Sequence, residues 1–102
     1  MLTITQKDHK KEIAVRHGDT VEIILFENPG TGYQWTLTPA KGMSIVENRY
    51  EPATKAVGSG GHRHLLIRLD GPGRLELAGH YRRPWEKEVT GTEFAVTFAV
   101  SG

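Results

Sequence analysis

The sequence predicts an all-β protein built from seven to eight short strands. Apolar and polar residues alternate along most of the chain, and a period of two puts one set of side chains on one face of a strand. β-branched and aromatic residues, which strands favour, dominate these runs. Turn-forming Gly, Pro, Asn and Asp separate the runs at nearly regular intervals. In a chain of 102 residues, this pattern is typical of one immunoglobulin-like antiparallel β-sandwich domain spanning residues 1–102.

These alternations predict seven strands, lettered A to G in chain order. Strand A is Leu2–Thr5 continued by Ile13–Val15; B is Thr20–Phe26, with Val21, Ile23 and Leu25 on one face; C is Tyr33–Thr38, with Tyr33, Trp35 and Leu37; D is Met43–Arg49; E is His62–Leu69, with Leu65, Ile67 and Leu69; F is Gly73–Tyr81, with Leu75 and Leu77; and G is Thr92–Val100, with Phe94, Val96, Phe98 and Val100. Trp35 and Tyr33 are expected in the core, since sandwiches of this class often bury a tryptophan on the third strand. Only Arg49–Ala56 offers a place for a short helical turn.

Composition excludes several classes of protein. With 13 basic and 12 acidic side chains, the formal charge is +1, which gives no reason to expect nucleic acid or a membrane as a partner. There is no cysteine, so the fold owes nothing to disulfides and the chain has no thiol nucleophile. No apolar run approaches membrane-spanning length, and Met1–Gln6 lacks the apolar region of a signal peptide. The compartment stays open: cytoplasmic for the chain as it stands, periplasmic or secreted if a leader was removed.

Three loops are expected at one end of the domain, because successive antiparallel strands reverse direction. They are the B–C loop (Glu27–Gly32), the D–E loop (Tyr50–Gly61) and the F–G loop (Arg82–Gly91). The D–E loop is much longer than the usual hairpin connection of about 2–5 residues. Turns at the opposite end are short. The end with the three loops is therefore the candidate functional end.

Each loop carries residues that suit an interface. The D–E loop ends in Gly58-Ser59-Gly60-Gly61, whose bare backbone lets another chain come close. The F–G loop carries Arg83-Pro84-Trp85, where the aromatic ring is a typical interface anchor and the proline limits the freedom lost on binding. The B–C loop and its flank, Asn28-Pro29-Gly30-Thr31-Gly32-Tyr33, are small and constrained. Three such loops at one end predict a wedge, as antibody loops form on the same architecture.

Taken together and in this order, the three motifs resemble those of the chagasin family, proteinaceous inhibitors of papain-like cysteine proteases. That family carries an N-P-T-T-G-Y/F loop, a G-x-G-G loop and an R-P-W loop on an immunoglobulin-like fold. The matching residues here are Asn28 to Tyr33, Gly58 to Gly61, and Arg83 to Trp85. The one departure is Gly30, which stands where the family has its first threonine. The implied strands extend the resemblance over nearly the whole chain.

The resemblance implies a reversible, non-covalent, tight-binding inhibitor that is not itself an enzyme. The B–C loop would sit over the catalytic Cys–His pair of the protease, and the Gly58–Gly61 backbone would lie along the substrate groove. Trp85 would pack on an aromatic surface at the far side of the cleft, positioned by Arg83 and Pro84. Tyr33 would act as the packing base of its loop. The resemblance further implies a papain-like cysteine protease as partner, a monomer, and no cofactor.

Simpler interpretations stand beside these. Trp85 could fold back on its own loop, and a Gly-rich stretch such as Gly58–Gly61 is often only flexible. His62 and His64 lie two apart on one strand face, but a zinc site needs three or four ligands and only His80 could add one, so we expect no metal. No serine has a G-x-S-x-G setting, so we expect no catalytic residue; the serines are Ser44, Ser59 and Ser101.

Two other classes of function remain open. One is an immunoglobulin-like binding or adhesion module for a non-protease ligand, which predicts aromatic residues spread over a sheet face. The other is a structural domain that pairs through a sheet edge, and strand G is apolar enough to allow it. Fold alone decides neither case.

Overall fold

The structure, a computed structural model, describes residues 1–53, 60–86 and 92–102. Within them, every predicted strand is present. The strands are β1 (Leu2–Thr5), β2 (Glu12–Arg16), β3 (Thr20–Glu27), β4 (Gln34–Thr38), β5 (Met43–Pro52), β6 (Gly61–Leu69), β7 (Gly73–Arg82) and β8 (Thr92–Ser101). Short 3₁₀ turns at Gln6–Asp8 and Pro29–Thr31 interrupt them. None of the helical segments in this part of the chain is long and apolar enough to cross a membrane.

Two four-stranded sheets face each other, one in the order β1-β3-β6-β5 and the other in the order β2-β8-β7-β4. This confirms the predicted all-β sandwich. Both sheets are mixed, because β1 pairs with β3 and β2 pairs with β8 in parallel, whereas the other described pairs are antiparallel. The alternating residues of the two inner faces form the core, including Trp35. Its fully buried members include Ile4, Val21, Ile23, Leu25, Leu65, Ile67, Leu69, Leu77, Phe94, Val96 and Phe98.

Predicted strand A is divided between the two sheets. Its first part is β1 and its second part is β2, and the 3₁₀ turn between them lets the chain cross from one sheet to the other. A capping box closes the N-terminal end of the turn: Thr5 donates its backbone N–H to the Asp8 carboxylate (2.9 Å), and the Thr5 hydroxyl accepts from the Lys7 N–H (3.3 Å). Both sheets therefore include a segment of the first 16 residues.

The expected helical turn within Arg49–Ala56 is wrong for the residues that the structure describes there. Arg49–Pro52 continues β5, because Tyr50, Glu51 and Pro52 pair with Arg63, His62 and Gly61 of β6. The D–E loop accordingly begins later than predicted, at Ala53. The B–C loop also begins one residue later, since Glu27 closes β3.

Candidate functional site

The B–C loop forms a well-defined turn that is closed by its own hydrogen bonds. Asn28 caps the 3₁₀ turn Pro29–Thr31, and its side-chain Oδ1 accepts the Gly30 N–H at 3.1 Å. Thr31 returns two bonds to the Asn28 carbonyl, from its N–H (3.1 Å) and from its hydroxyl (2.7 Å). Gly32 ends the turn with φ +84°, a backbone conformation that favours glycine. The loop therefore has one preferred shape before any partner arrives.

The base of this loop is tied to both sheets. Trp35 of β4 donates its indole N–H to the Phe26 carbonyl (2.7 Å) and its backbone N–H to Glu27 Oε1 (2.9 Å). The backbone N–H of Asn28 donates to the Tyr81 hydroxyl at 2.8 Å. Since Phe26 and Glu27 belong to one sheet while Trp35 and Tyr81 belong to the other, these three bonds fix the height of the loop above the sandwich.

A buried ion pair lies beneath the loop. The Glu27 side chain is fully buried, and its Oε2 is 2.6 Å from Nη2 of Arg63, whose Nε also donates to Oε1 at 3.3 Å. With the Trp35 N–H, the carboxylate has three donors, which compensates for its removal from water. The Arg63 guanidinium also donates to Asn48 (3.2 Å), and it lies 5.8 Å from the Tyr50 ring centre. This network connects the end of β3 to β5 and β6.

The F–G loop is attached to the B–C loop through Arg83. Its Nε donates to the Thr31 carbonyl at 3.1 Å, and its guanidinium carbon lies 4.8 Å from the centre of the Tyr33 ring. The Tyr33 ring also stacks on Tyr81, with ring centres 5.3 Å apart. Tyr33 is thus half-buried at the loop end and lies outside the core in which it was expected, because it precedes β4 and its ring packs on Tyr81 and Arg83. The Arg83 side chain also lies 3.4 Å from Glu86.

Trp85 points outward, with 70% of its surface exposed. The six-membered ring of the indole lies against Gly32, where an added methyl carbon would lie 2.5 Å from Cη2 and 3.2 Å from Cζ2. The ring is therefore held against the B–C loop and still presents most of its surface to solvent. An exposed aromatic side chain with a restrained orientation is typical of an interface anchor.

The C-terminal end of the D–E loop meets the B–C loop. Gly60 has φ +75°, and a methyl carbon placed on it would lie 3.2 Å from the Phe26 ring and 3.4 Å from Cβ of Asn28. Gly61 leaves no room for a side chain, since a methyl carbon there would lie 2.2 Å from the Glu51 carbonyl oxygen. Of the predicted D–E residues, Gly58 and Ser59 lie outside the described residues.

Eleven of the thirteen predicted site residues are thus described, and they lie at one end of the sandwich. They are Asn28, Pro29, Gly30, Thr31, Gly32, Tyr33, Gly60, Gly61, Arg83, Pro84 and Trp85. The three motifs omit Glu27, Arg63 and Tyr81, which support the site from below. A signal for the first two exists in the sequence: Glu27 continues the inward series Val21, Ile23 and Leu25, and Arg63 precedes Leu65 at the same spacing.

A further group of charged side chains lies on the outer face of β3, β5 and β6. A hydrogen bond from Arg49 (Nη1 to Oε2, 2.5 Å) lowers the pKa of Glu51 below its usual value. His64 lies 3.6 Å from the same carboxylate and 3.8 Å from Glu22. In the part of the chain that the structure describes, no three His, Asp or Glu side chains are placed to hold a metal ion.

Comparison with known proteins identifies the family. The family model described as "Chagasin family peptidase inhibitor I42" matches residues 14–100. Chagasin from Trypanosoma cruzi is 33% identical over 89 residues, which cover 80% of this chain and 81% of chagasin. Amoebiasin-1 from Entamoeba histolytica is 29% identical over 99 residues, which cover 93% of this chain and 95% of amoebiasin-1.

A solved structure shares the fold. The crystal structure of a cysteine protease inhibitor from Entamoeba histolytica matches with a TM-score of 0.87 and 20% identity, over 98% of this chain and 94% of that one. The chain therefore belongs to the chagasin family of peptidase inhibitors, whose members are inhibitors and not enzymes.

Proposed function

We propose that this chain inhibits papain-like cysteine proteases by filling their active-site cleft with the B–C, D–E and F–G loops. The inhibitor binds reversibly as one copy of a single domain, forms no covalent bond and needs no cofactor. The observation that carries the proposal is the seating of the exposed Trp85 ring on Gly32, beside a preformed B–C turn.

Each loop has a role that its geometry supports. The B–C turn, from Asn28 to Gly32, is the rigid central part and would stand over the catalytic cysteine and histidine of the protease. Hydrogen bonds within the turn hold its backbone in a folded conformation. The turn therefore does not present an extended peptide segment that the protease could cleave. Gly30 is exposed at the top of this turn, where its lack of a side chain allows a close approach.

The other two loops flank the B–C turn. Gly60 and Gly61 are buried where the D–E loop returns to β6, and Gly61 pairs with Glu27 and Pro52 on its two sides, so these glycines anchor the loop that would lie along the extended groove. Trp85, with Arg83 and Pro84 behind it, supplies the large apolar contact on the other side. Because Arg83 donates a hydrogen bond to the Thr31 carbonyl, the F–G loop and the B–C turn are held together before the protease binds. Little conformational entropy is then lost on binding, which favours nanomolar affinity of about −12 kcal/mol.

A titration of papain with the purified chain tests the proposal, with hydrolysis of a fluorogenic peptide as the readout and trypsin as the control protease. We expect loss of papain activity at one equivalent and no effect on trypsin. Trp85→Ala should weaken binding by about 2–4 kcal/mol, roughly 30- to 900-fold. The matched control is Val46→Ala, an exposed apolar residue at the β5 irregularity, which should leave inhibition unchanged. Full papain activity in the presence of micromolar wild-type chain would contradict the proposal and favour a non-protease ligand.

A further inference from the structure

One exposed aromatic residue at the loop end belongs to none of the three motifs. Phe26, the penultimate residue of β3, points away from the core and has 44% of its surface exposed. Among the Phe and Trp side chains of the described residues, only Phe26 and Trp85 are exposed to this extent, and both lie beside the same loops. An exposed phenylalanine gains little from burial, so its place here calls for another explanation.

The backbone of Phe26 is held on both sides. Its N–H donates to Oε1 of Gln6 (3.3 Å), and its carbonyl accepts the indole N–H of Trp35 (2.7 Å). The ring meets His62 of β6 edge to face, with centres 6.2 Å apart and planes at 81°. The ring therefore has a fixed position on the outer face of the sheet, next to the point where the D–E loop returns to β6.

The residue that the ring supports is Gly60. A methyl carbon on Gly60 would lie 3.2 Å from both Cε2 and Cζ of Phe26, so the glycine backbone packs directly on the ring. Cβ of Asn28 lies 3.4 Å from the same methyl position, so the α-carbon of Gly60 faces both the Phe26 ring and the start of the B–C turn. The Gly60 carbonyl accepts the N–H of Ala53 at 3.0 Å, and this bond joins the two ends of the D–E loop.

We infer that Phe26 is a positioning residue for inhibition: its ring holds Gly60, and through the Gly60–Ala53 bond it fixes where the D–E loop leaves and re-enters the sheet. The inference rests on the proposed function for its effect on the protease. Its mechanical part, the support of Gly60, depends on the inhibitor alone. Phe26 is thus assigned to the binding end although it lies outside the motifs that define that end.

The test compares Phe26→Ala, Phe26→Leu and Ile45→Ala. Ile45, 40% exposed on β5, is a matched apolar control because its partner Ile67 lies toward the opposite end of β6 from Gly61. Inhibition constants for papain are measured together with amide hydrogen exchange at Ala53. We expect Phe26→Ala to raise the inhibition constant about fivefold, the effect of one lost ordering contact. The Ala53 amide should exchange faster by a similar factor, because both report the same loosening of Gly60. Phe26→Leu should restore most of the inhibition and most of the protection of the Ala53 amide. Ile45→Ala should change neither the inhibition constant nor the exchange rate.

The other outcomes separate a failure of this inference from a failure of the proposed function. A raised inhibition constant with unchanged Ala53 exchange would mean that Phe26 contacts the protease directly. Unchanged values for both would mean that the ring supports nothing. If wild-type chain fails to inhibit papain, the proposed function fails, and Ala53 exchange in Phe26→Ala still decides whether the ring holds Gly60. If Trp85→Ala weakens inhibition and Phe26→Ala does not, only the role of Phe26 is lost.

Discussion

Trp85 and Gly32 are in such close contact that a single methyl group on the glycine would displace the indole. The absence of a side chain at Gly32 therefore serves two purposes: it permits φ +84° at the end of the B–C turn, and it provides the surface on which Trp85 rests. Two of the three loops meet at this one α-carbon.

Gly32→Ala should therefore weaken inhibition by more than its backbone strain explains. The variant adds a clash with Cη2 of Trp85 to the cost of a left-handed alanine, which is about 1–2 kcal/mol. Gly18→Ala is the matched control, because Gly18 has φ +89° but no atom within 4 Å of an added methyl carbon. Both variants should lose similar stability in urea, and only Gly32→Ala should weaken papain inhibition and shift the Trp85 fluorescence. Equal inhibition by the two variants would show that the contact does not orient the ring.

Glu27→Ala should be among the most destabilising single substitutions at the loop end. It leaves the Arg63 guanidinium and the Trp35 N–H without the carboxylate that they bond, and breaking a buried ion pair costs about 3–5 kcal/mol. Urea unfolding followed by circular dichroism measures the loss. Arg49→Ala, which breaks an ion pair between exposed side chains, is the control and should change stability little. A loss no larger than that of the control would mean that the Glu27 network contributes little to folding.

Tyr81→Phe should loosen the B–C turn and leave the core intact. The substitution removes the oxygen that accepts the Asn28 N–H but keeps the ring contacts with Tyr33 and Trp35. We expect a stability loss of about 1 kcal/mol and faster hydrogen exchange of the Asn28 amide. Tyr33→Phe, which removes a hydroxyl from the adjacent ring, should not speed exchange at Asn28. If it does so equally, the protection of Asn28 does not come from Tyr81.

Asp70 makes the stability of the end opposite the loops depend on pH. The Asp70 carboxylate accepts hydrogen bonds from Ser44 (2.9 Å) and Arg68 (2.8 Å). These bonds lower the pKa of the carboxyl below 3.8, and the bond from Ser44 has the larger effect. Because the pKa is lower in the folded than in the unfolded chain, the stabilisation is complete above the unfolded value of about 3.9 and is lost as pH falls through the folded value. Melting temperatures between pH 6 and 2 should converge for wild type and Asp70→Asn at the acidic end. Ser44→Ala, which removes the larger cause, should show a smaller acid dependence than wild type; an unchanged dependence would exclude that bond as its source.

Sequence patterns predicted the strands well because a buried face requires every second residue to be apolar, whatever the neighbouring strand is. They also placed the three loops at one end, since strand order and reversal suffice for that. The division of strand A between two sheets was beyond this reasoning. Alternation in Leu2–Thr5 and Ile13–Val15 records which side is buried but not which edge each segment joins or in which direction.

The support of the site was harder to predict than its exposed residues. The motifs lie within short stretches of sequence, whereas Glu27 with Arg63 and Asn28 with Tyr81 are brought together by the pairing of strands across the sandwich. The D–E loop was predicted too long because Tyr50–Pro52 shows no alternation of apolar and polar residues, and only its pairing with β6 identifies it as strand. The contacts beneath the site and the end of β5 both depend on the register of strand pairing, which a single sequence leaves undetermined.

The parallel pairing of β2 with β8 has a consequence for synthesis on the ribosome. Glu12–Arg16 is made early, but its partners Thr97–Ser101 are separated from it by most of the chain. During translation the second sheet therefore lacks a neighbour for β2 until β8 has emerged, whereas β1 can join β3 after only about twenty residues. Nascent chains should consequently carry an unpaired N-terminal strand for most of their elongation, and an edge strand without a partner is a site for association with other chains.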